Sequence, residues 1–96
     1  MKKTVVESLV DFINEVGENG DEIHIHMMIA TNYMGYDLSI APLKCFDHGL
    51  RIYIETVNGT FYIDTNNIEH NEKLSCYICS EGDSVVYIYD EPRLFF

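Results

Sequence analysis

Four side chains in this sequence have the types and the spacing of metal ligands. Cys45 and His48 form a Cys-x-x-His pair, and Cys76 and Cys79 form a Cys-x-x-Cys pair, as in many zinc sites. The second pair, however, lies in an apolar run typical of a strand, where residues three apart face opposite sides. Cysteine outside disulfides is also among the most buried residue types. We therefore expect core thiols, no disulfide and no bound cofactor, with a structural zinc site as the alternative.

No arrangement of residues has the signature of a catalytic site. The sequence contains no H-E-x-x-H motif, no phosphate-binding glycine loop and no nucleophile motif. Carboxylate pairs are too frequent among sixteen acidic residues to mark an acid–base pair. The chain is therefore predicted not to be an enzyme.

The strongest chemical signal is negative charge. Sixteen Asp and Glu residues against six Lys and Arg give a formal net charge of −10. Nucleic-acid affinity comes largely from Lys and Arg that displace counterions, so direct DNA or RNA binding is not expected. A surface of this sign suits a basic protein surface as partner, including that of a nucleic-acid-binding effector.

Part of this charge is predicted to line one side of an N-terminal helix. Thr4 and Glu7 form a T-x-x-E capping box, and Gly17 is placed for a left-handed C-cap, which together predict a helix over residues 5–16. The apolar side chains share one side of this helix. The other side carries a carboxylate stripe, which comprises Glu7, Asp11, Glu15 and Glu18. These residues recur about every 5–6 Å, close to the phosphate spacing along one strand, and we expect them to contact the partner.

A second candidate contact surface lies on a predicted hairpin in residues 50–64. Asn58 and Gly59 suit a two-residue type I′ turn, which fixes the register of the two strands. The predicted pairs are Val57 with Thr60, Glu55 with Tyr62, and Tyr53 with Asp64. Because strand side chains alternate between faces, this hairpin should have one apolar and one polar face.

The two faces of the hairpin are predicted to have different roles. The apolar face is expected in the core and comprises Leu50, Ile52, Ile54, Thr56, Phe61 and Ile63. The other face is expected to contact the partner through Tyr53, Glu55, Tyr62 and Asp64. Tyrosine gives a large contact area at low entropic cost, and carboxylates beside it pair with Arg or Lys.

The remaining patterns predict further antiparallel strands. Residues 23–30 alternate in polarity, and a second alternation that begins at Tyr36 is interrupted by Pro42, which lacks a ladder donor. Residues 74–80 and 84–90 are expected to pair as a second hairpin. The chain is thus predicted to be a single α+β domain over residues 1–96. In this fold an N-terminal helix is followed by a curled antiparallel sheet of five or six strands.

Neither a secretory signal nor a membrane span is expected. Glu7 and Asp11 interrupt the apolar N-terminal segment, and no small-residue cleavage site follows. No apolar run approaches the roughly 18 residues that a spanning helix needs. Three cysteines, an odd number, suit a reducing compartment. The sequence therefore predicts a cytoplasmic protein with no membrane partner.

Residues 45–68, CFDHGLRIYIETVNGTFYIDTNNI, resemble the Sm-like family in its bacterial Hfq branch. In that pattern a Phe-Asp pair precedes a strand, a short turn, a second strand and a final isoleucine. The resemblance implies a helix that runs into a strongly bent five-stranded sheet, and a homo-oligomer. The Tyr-Lys-His motif that lines the RNA pore of that branch is replaced here by Tyr62, Ile63 and Asp64. The family's RNA binding is therefore not expected to carry over.

Small size, strong acidity and the absence of a catalytic motif are also similar to small phage anti-defence proteins. These include anti-CRISPR proteins, many of which mimic nucleic acid with carboxylates. The main hypothesis is a non-catalytic inhibitor of a basic or nucleic-acid-binding protein. The alternatives are an Sm-like or other β-rich oligomeric scaffold or small-ligand-binding protein, and a toxin-immunity protein.

Overall fold

The computed structural model describes residues 3–29 and 34–90, which form one helix and eight strands. In chain order these are α1 (Val5–Glu18), β1 (Ile23–Ile29), β2 (Met34–Ile40), β3 (Lys44–His48), β4 (Arg51–Thr56), β5 (Gly59–Asp64), β6 (Ile68–Asn71), β7 (Cys76–Glu81) and β8 (Ser84–Tyr89). All pairings among these strands are antiparallel. The predicted α+β class with an N-terminal helix is confirmed. Residue 30, the last of the first predicted strand, lies outside the described residues.

The strands form two sheets, so the prediction of one curled sheet of five or six strands is wrong. The larger sheet has the order β2-β1-β8-β7-β6, and the smaller has the order β3-β4-β5. In neither sheet does the last strand pair with the first, so neither sheet is closed. Pro42 marks the division, because β2 ends at Ile40 and the next strand starts in the other sheet at Lys44. A proline cannot donate to a ladder, which ends the first sheet at this point.

Helix α1 begins as predicted and ends two residues later than predicted. Both halves of the capping box are present, with the Glu7 N–H donating to Thr4 Oγ1 at 3.1 Å. Gly17 lies inside the helix, so its predicted role as the C-cap is wrong. Gly20 takes the left-handed conformation instead, at φ 73°. The N–H of Asp21 then donates to the Val16 carbonyl at 3.0 Å, as in a Schellman motif.

The β4–β5 hairpin is present, but its register differs from the prediction by two residues. Thr56 is opposite Gly59, and the two turn residues are Val57 and Asn58. The Thr56 hydroxyl donates to the Gly59 carbonyl at 2.9 Å and accepts from the Asn58 N–H at 3.2 Å. These bonds stabilise a turn one residue earlier than Asn58-Gly59. A shift of two residues leaves every side chain on its predicted face.

The second predicted hairpin is confirmed as β7 and β8, which are joined by a two-residue turn at Gly82 and Asp83. Each of these strands has a second neighbour. Strand β6 pairs with β7, and β1 pairs with β8, so the first and last strands of the described chain are adjacent. The five-stranded sheet therefore depends on a pairing between residues about sixty positions apart in the sequence.

The core lies between the two sheets and beneath α1. Its fully buried side chains include Leu9 and Ile13 of the helix, Ile52 and Ile54 of β4, and Ile88 of β8. Two side chains of the predicted apolar hairpin face are not core residues, since Leu50 is 68% and Phe61 is 44% exposed. Leu50 lies in the turn between β3 and β4, and Phe61 lies on β5, an edge strand of the smaller sheet.

Candidate functional site: an acidic cleft beside the helix

The carboxylate stripe of α1 does not present four equivalent charges. Asp11 forms an ion pair with Lys3, and Glu7 accepts from the Thr4 N–H at 3.4 Å within the capping box. The side chains of Glu15 and Glu18 make no ion pair or hydrogen bond in the part of the chain that the structure describes. The uncommitted charge of the stripe is therefore concentrated at the C-terminal end of the helix.

At this end the helix borders a cleft of about 550 Å³. Four acidic residues line the cleft, namely Glu15, Asp21, Glu22 and Asp90. The other lining residues are Phe12, Val16, Asn19, His24 and Tyr89. No Lys or Arg belongs to this lining, within the ranges 3–29 and 34–90. Apolar surface from Phe12 and Val16 is thus combined with an excess of negative charge.

The four acidic residues come from three parts of the fold. Glu15 lies on α1, whereas Asp21 and Glu22 lie between the helix and β1. Asp90 directly follows β8 and reaches the cleft because β8 pairs with β1. Its Oδ2 lies 2.6 Å from His70 Nε2, so this oxygen is already paired within the chain, whereas its buried Oδ1 has no hydrogen-bond partner among the described residues. Glu15, Asp21 and Glu22 are exposed and form no ion pair within the described ranges.

The position of these charges is electrostatically unfavourable for the folded chain. The C-terminal end of a helix carries a partial negative charge and favours Lys, Arg or protonated His nearby. The last turn of α1 contains no basic residue, while Glu15 and Glu18 are close to it. Acidic residues at this end repel the helix dipole and one another, and a bound cation would relieve both effects.

Matched substitutions at the two ends of α1 test this electrostatic frustration. Glu18→Gln should raise the free energy of unfolding by about 0.3–1 kcal/mol, because it removes a carboxylate from the negative end of the helix. Glu7→Gln should lower it by a similar amount, since Glu7 is at the positive end. Each change alters the net charge equally. Denaturant unfolding at low salt measures both, and two shifts of the same sign would contradict this explanation.

The tyrosine face of the smaller sheet is less acidic than the sequence alone suggests. Tyr53 is opposite Tyr62 on β5 and Phe46 on β3, which makes a row of three aromatic rings across the sheet. The ring centroids of Phe46 and Tyr53 are 5.4 Å apart, and those of Tyr53 and Tyr62 are 6.2 Å apart. Sequence reasoning missed Phe46, because its place in this row depends on the pairing of β3 with β4.

Basic side chains neutralise much of the charge on this face. Arg51 Nε bonds Asp64 Oδ1 at 3.0 Å, and the Arg51 guanidinium lies 4.4 Å from the centroid of Tyr62. Asp64 holds the pKa of Arg51 above its ordinary value through this hydrogen bond and through its charge. Lys44 is directly opposite Glu55 in the β3–β4 register. The face is therefore aromatic with mixed charge, in contrast to the cleft.

The structure does not bring the four Cys and His candidates together as a metal site. Cys45, Cys76 and Cys79 are buried, whereas His48 is exposed and contacts Tyr53, with ring centroids 5.9 Å apart. Among the described residues, no group of three or more His, Cys, Asp or Glu side chains is arranged to hold a metal ion. Burial, with a smaller contribution from Asp47, raises the pKa of Cys45 to about 12. Burial also raises the pKa of Cys79 to about 12.

The buried thiols should be unreactive in the folded protein. At pH 8 almost none of the Cys45 or Cys79 side chains is a thiolate, which is the nucleophilic form. A disulfide reagent should therefore modify the thiols of the native protein only as fast as the fold opens. In denaturant the same reagent should modify all three thiols rapidly. Because the folded-state pKa values are raised, stability from these groups should be lost as the pH rises above about 9. Rapid labelling of the native chain at pH 8 would contradict this prediction.

Comparisons with known proteins do not place the chain in a family: no family model matches it, and searches of curated proteins and of solved structures found no match. Within residues 3–29 and 34–90, no helix has both the length and the apolar character needed to span a membrane.

Proposed function

We propose that this protein is a non-catalytic acidic binding protein that inhibits a basic or nucleic-acid-binding protein. The cleft and the adjacent end of α1 contact a basic surface of that partner. The observation that carries this proposal is the lining of the cleft. It combines three exposed carboxylates that have no ion pair in the described part of the chain with apolar surface from Phe12 and Val16.

The lining suits long basic side chains in particular. A Lys or Arg side chain packs its methylene groups against apolar surface while its charged end contacts carboxylates. A cleft of about 550 Å³ accommodates such side chains in a way that a flat acidic surface does not. Glu18, next to the cleft on the same helix, extends the negative surface toward the rest of the partner.

Binding of a cationic partner also explains why acidic residues lie at the end of α1 where they destabilise the helix. Natural proteins often carry locally unfavourable arrangements at functional sites. At the C-terminal end of α1, Glu15 and Glu18 weaken the free protein but gain favourable interactions when a cation approaches. The proposed inhibitor therefore binds in part by relieving its own repulsion.

Nucleic-acid mimicry is a narrower form of this proposal. The commitment of Asp11 to Lys3 and of Glu7 to the capping box leaves two of the four stripe residues uncommitted. The mimicking surface is then the C-terminal half of the stripe together with Asp21 and Glu22, and not a regular row along the whole helix. The cytoplasmic location and the anti-defence role remain parts of the proposal.

The test is a comparison of two triple variants in partner capture and binding kinetics. The cleft variant carries Glu15→Gln, Asp21→Asn and Glu22→Gln, and the control variant carries Glu69→Gln, Asp83→Asn and Glu72→Gln at exposed positions outside the cleft. Both have the same net charge. A basic partner retained from lysate by the wild type should bind the cleft variant at least about tenfold more weakly, chiefly through slower association, and the complex should weaken with salt. Equal binding of all three proteins, or a salt-insensitive complex, would overturn the proposal.

A further inference from the structure

A second cavity lies between the two sheets. It is a groove of about 240 Å³ alongside β5. Its floor is part of the inner face of the larger sheet, including Met27, Leu38 and Val86. Phe61 and Ile63 of β5 form its wall. Leu38 and Phe61 remain 43% and 44% exposed, so the groove is an apolar strip that the smaller sheet leaves uncovered.

The backbone of β5 borders this strip with an unpaired edge. In the described part of the chain β5 pairs with β4 alone. The Thr65 N–H donates to the Leu50 carbonyl at 2.9 Å, which continues the β4–β5 register. Because backbone groups of successive strand residues point to opposite sides, Thr60 and Tyr62 direct their N–H and C=O groups away from β4. Tyr62 also lines the groove, so these groups border the apolar strip.

We infer that the groove binds an extended segment of a partner protein, which adds to β5 as a fourth strand. An unpaired strand edge is a template for another strand, and main-chain hydrogen bonds to Thr60 and Tyr62 would supply part of the affinity. Side chains of the added strand alternate between two faces, so every second one lies on Met27, Leu38 and Val86. The segment therefore has apolar residues at alternate positions.

The net charge of the chain favours a basic segment and disfavours a second copy of the chain. Two copies would each bring a formal charge of −10 to the contact, whereas Lys or Arg residues on the partner strand are attracted. The expected occupant is an extended basic segment in which apolar residues alternate with Lys or Arg. This inference does not depend on the acidic cleft, because the two sites have no lining residue in common.

The probe is a capped hexapeptide of alternating valine and lysine, titrated into the protein and followed by amide hydrogen exchange. At saturation the exchange of the Thr60 and Tyr62 amides should slow at least about tenfold, since an added strand protects the amides of the edge that it covers. Two isomers carry N-methyl groups at every valine or at every lysine. Because only alternate N–H groups face β5, one isomer should lose binding and the other should keep it.

Two protein variants make the test independent of any single change. Thr60→Pro removes an outward N–H without removing a donor of the β4–β5 ladder, at an edge strand where proline is tolerated, and should weaken peptide binding at least about tenfold. Leu38→Lys places a charge on the floor at an exposed position, with the same expected loss. The cleft variant should retain the protection of Thr60 and Tyr62, which separates this site from the proposed function. Equal binding of the two isomers, unchanged binding by both variants, or a peptide-free dimer that Thr60→Pro dissociates would overturn the inference.

Discussion

Replacing Asn14 with alanine is expected to lower the free energy of unfolding by about 2–4 kcal/mol, although alanine is the better helix former. The Asn14 side chain donates from Nδ2 to the Cys45 carbonyl at 2.7 Å and accepts from the Cys45 N–H at 2.8 Å. It thus bonds both backbone groups of Cys45 at the outer edge of β3, where a neighbouring strand would otherwise do so. Alanine leaves two partly buried polar groups without partners, and this loss exceeds the gain in helix propensity.

Two further variants separate this account from a general effect of substitution on the helix. Asn14→Asp keeps the acceptor but places a second oxygen against the Cys45 carbonyl, so it should be at least as unstable as Asn14→Ala. Asn66→Ala changes an exposed asparagine that makes no hydrogen bond among those the structure describes, and should alter stability by less than about 0.5 kcal/mol. Denaturant unfolding measures all three. An Asn14→Asp protein as stable as the wild type would contradict the account.

The second large effect is expected for Gly17→Ala, which should destabilise the fold by about 1–2 kcal/mol. Within a helix this substitution ordinarily stabilises by up to about 1 kcal/mol. Here a Cβ atom on Gly17 would lie 2.7 Å from the carbonyl oxygen of Pro42. That atom belongs to the backbone of a buried residue, so relief requires movement of the helix away from the segment that joins the two sheets.

A matched change on the same helix provides the reference for Gly17→Ala. Glu15 is exposed and lies two positions earlier, so Glu15→Ala should leave stability unchanged or slightly higher. Gly17→Ala should therefore lower the melting temperature, whereas Glu15→Ala should leave it unchanged or raise it slightly. A gain in stability for Gly17→Ala would show that the helix and the Pro42 segment are not in close contact.

Local signals in the sequence were sufficient to predict the helix but not the division into sheets. The capping box of Thr4 and Glu7 depends on neighbours three residues apart, and it is present in the structure. The pairing of β1 with β8 joins residues about sixty positions apart, and no short-range pattern specifies it. The break at Pro42 was visible as a missing donor. Its consequence, a second sheet, depends on packing that the sequence pattern does not show.

The hairpin register shows how competing local signals can mislead. Asn58-Gly59 is a strong type I′ signal, yet the Thr56 hydroxyl bonds both Gly59 and Asn58 and favours a turn at Val57 and Asn58. Side-chain bonds of this kind compete with backbone preferences. Because the register is shifted by two residues, the tyrosines stay on their predicted face of the hairpin. Asp64, however, lies opposite Arg51 and not opposite Tyr53. The register therefore decides which side chain lies beside Asp64, and not which residues the face carries.

The candidate site was predictable only in part for a similar reason. Glu15 and Glu18 follow from helical periodicity, and the structure leaves both without an ion pair in the described ranges. Asp21 and Glu22 were missed, although their position directly after the helix was visible in the sequence. Asp90 was not predictable, because it reaches the cleft through the β1–β8 pairing. A cleft formed from three separate segments requires the tertiary structure.

The central claim is that the cleft displays negative charge as an ordered binding site. Calorimetric titration of a hexa-arginine peptide into the wild type, the cleft variant and the control variant tests it most directly, since the two variants have the same composition and net charge. The account predicts that the cleft variant binds the peptide at least about tenfold more weakly than the control variant, whose affinity stays close to that of the wild type. Equal losses in the two variants would show that only the overall charge matters, and would contradict the account.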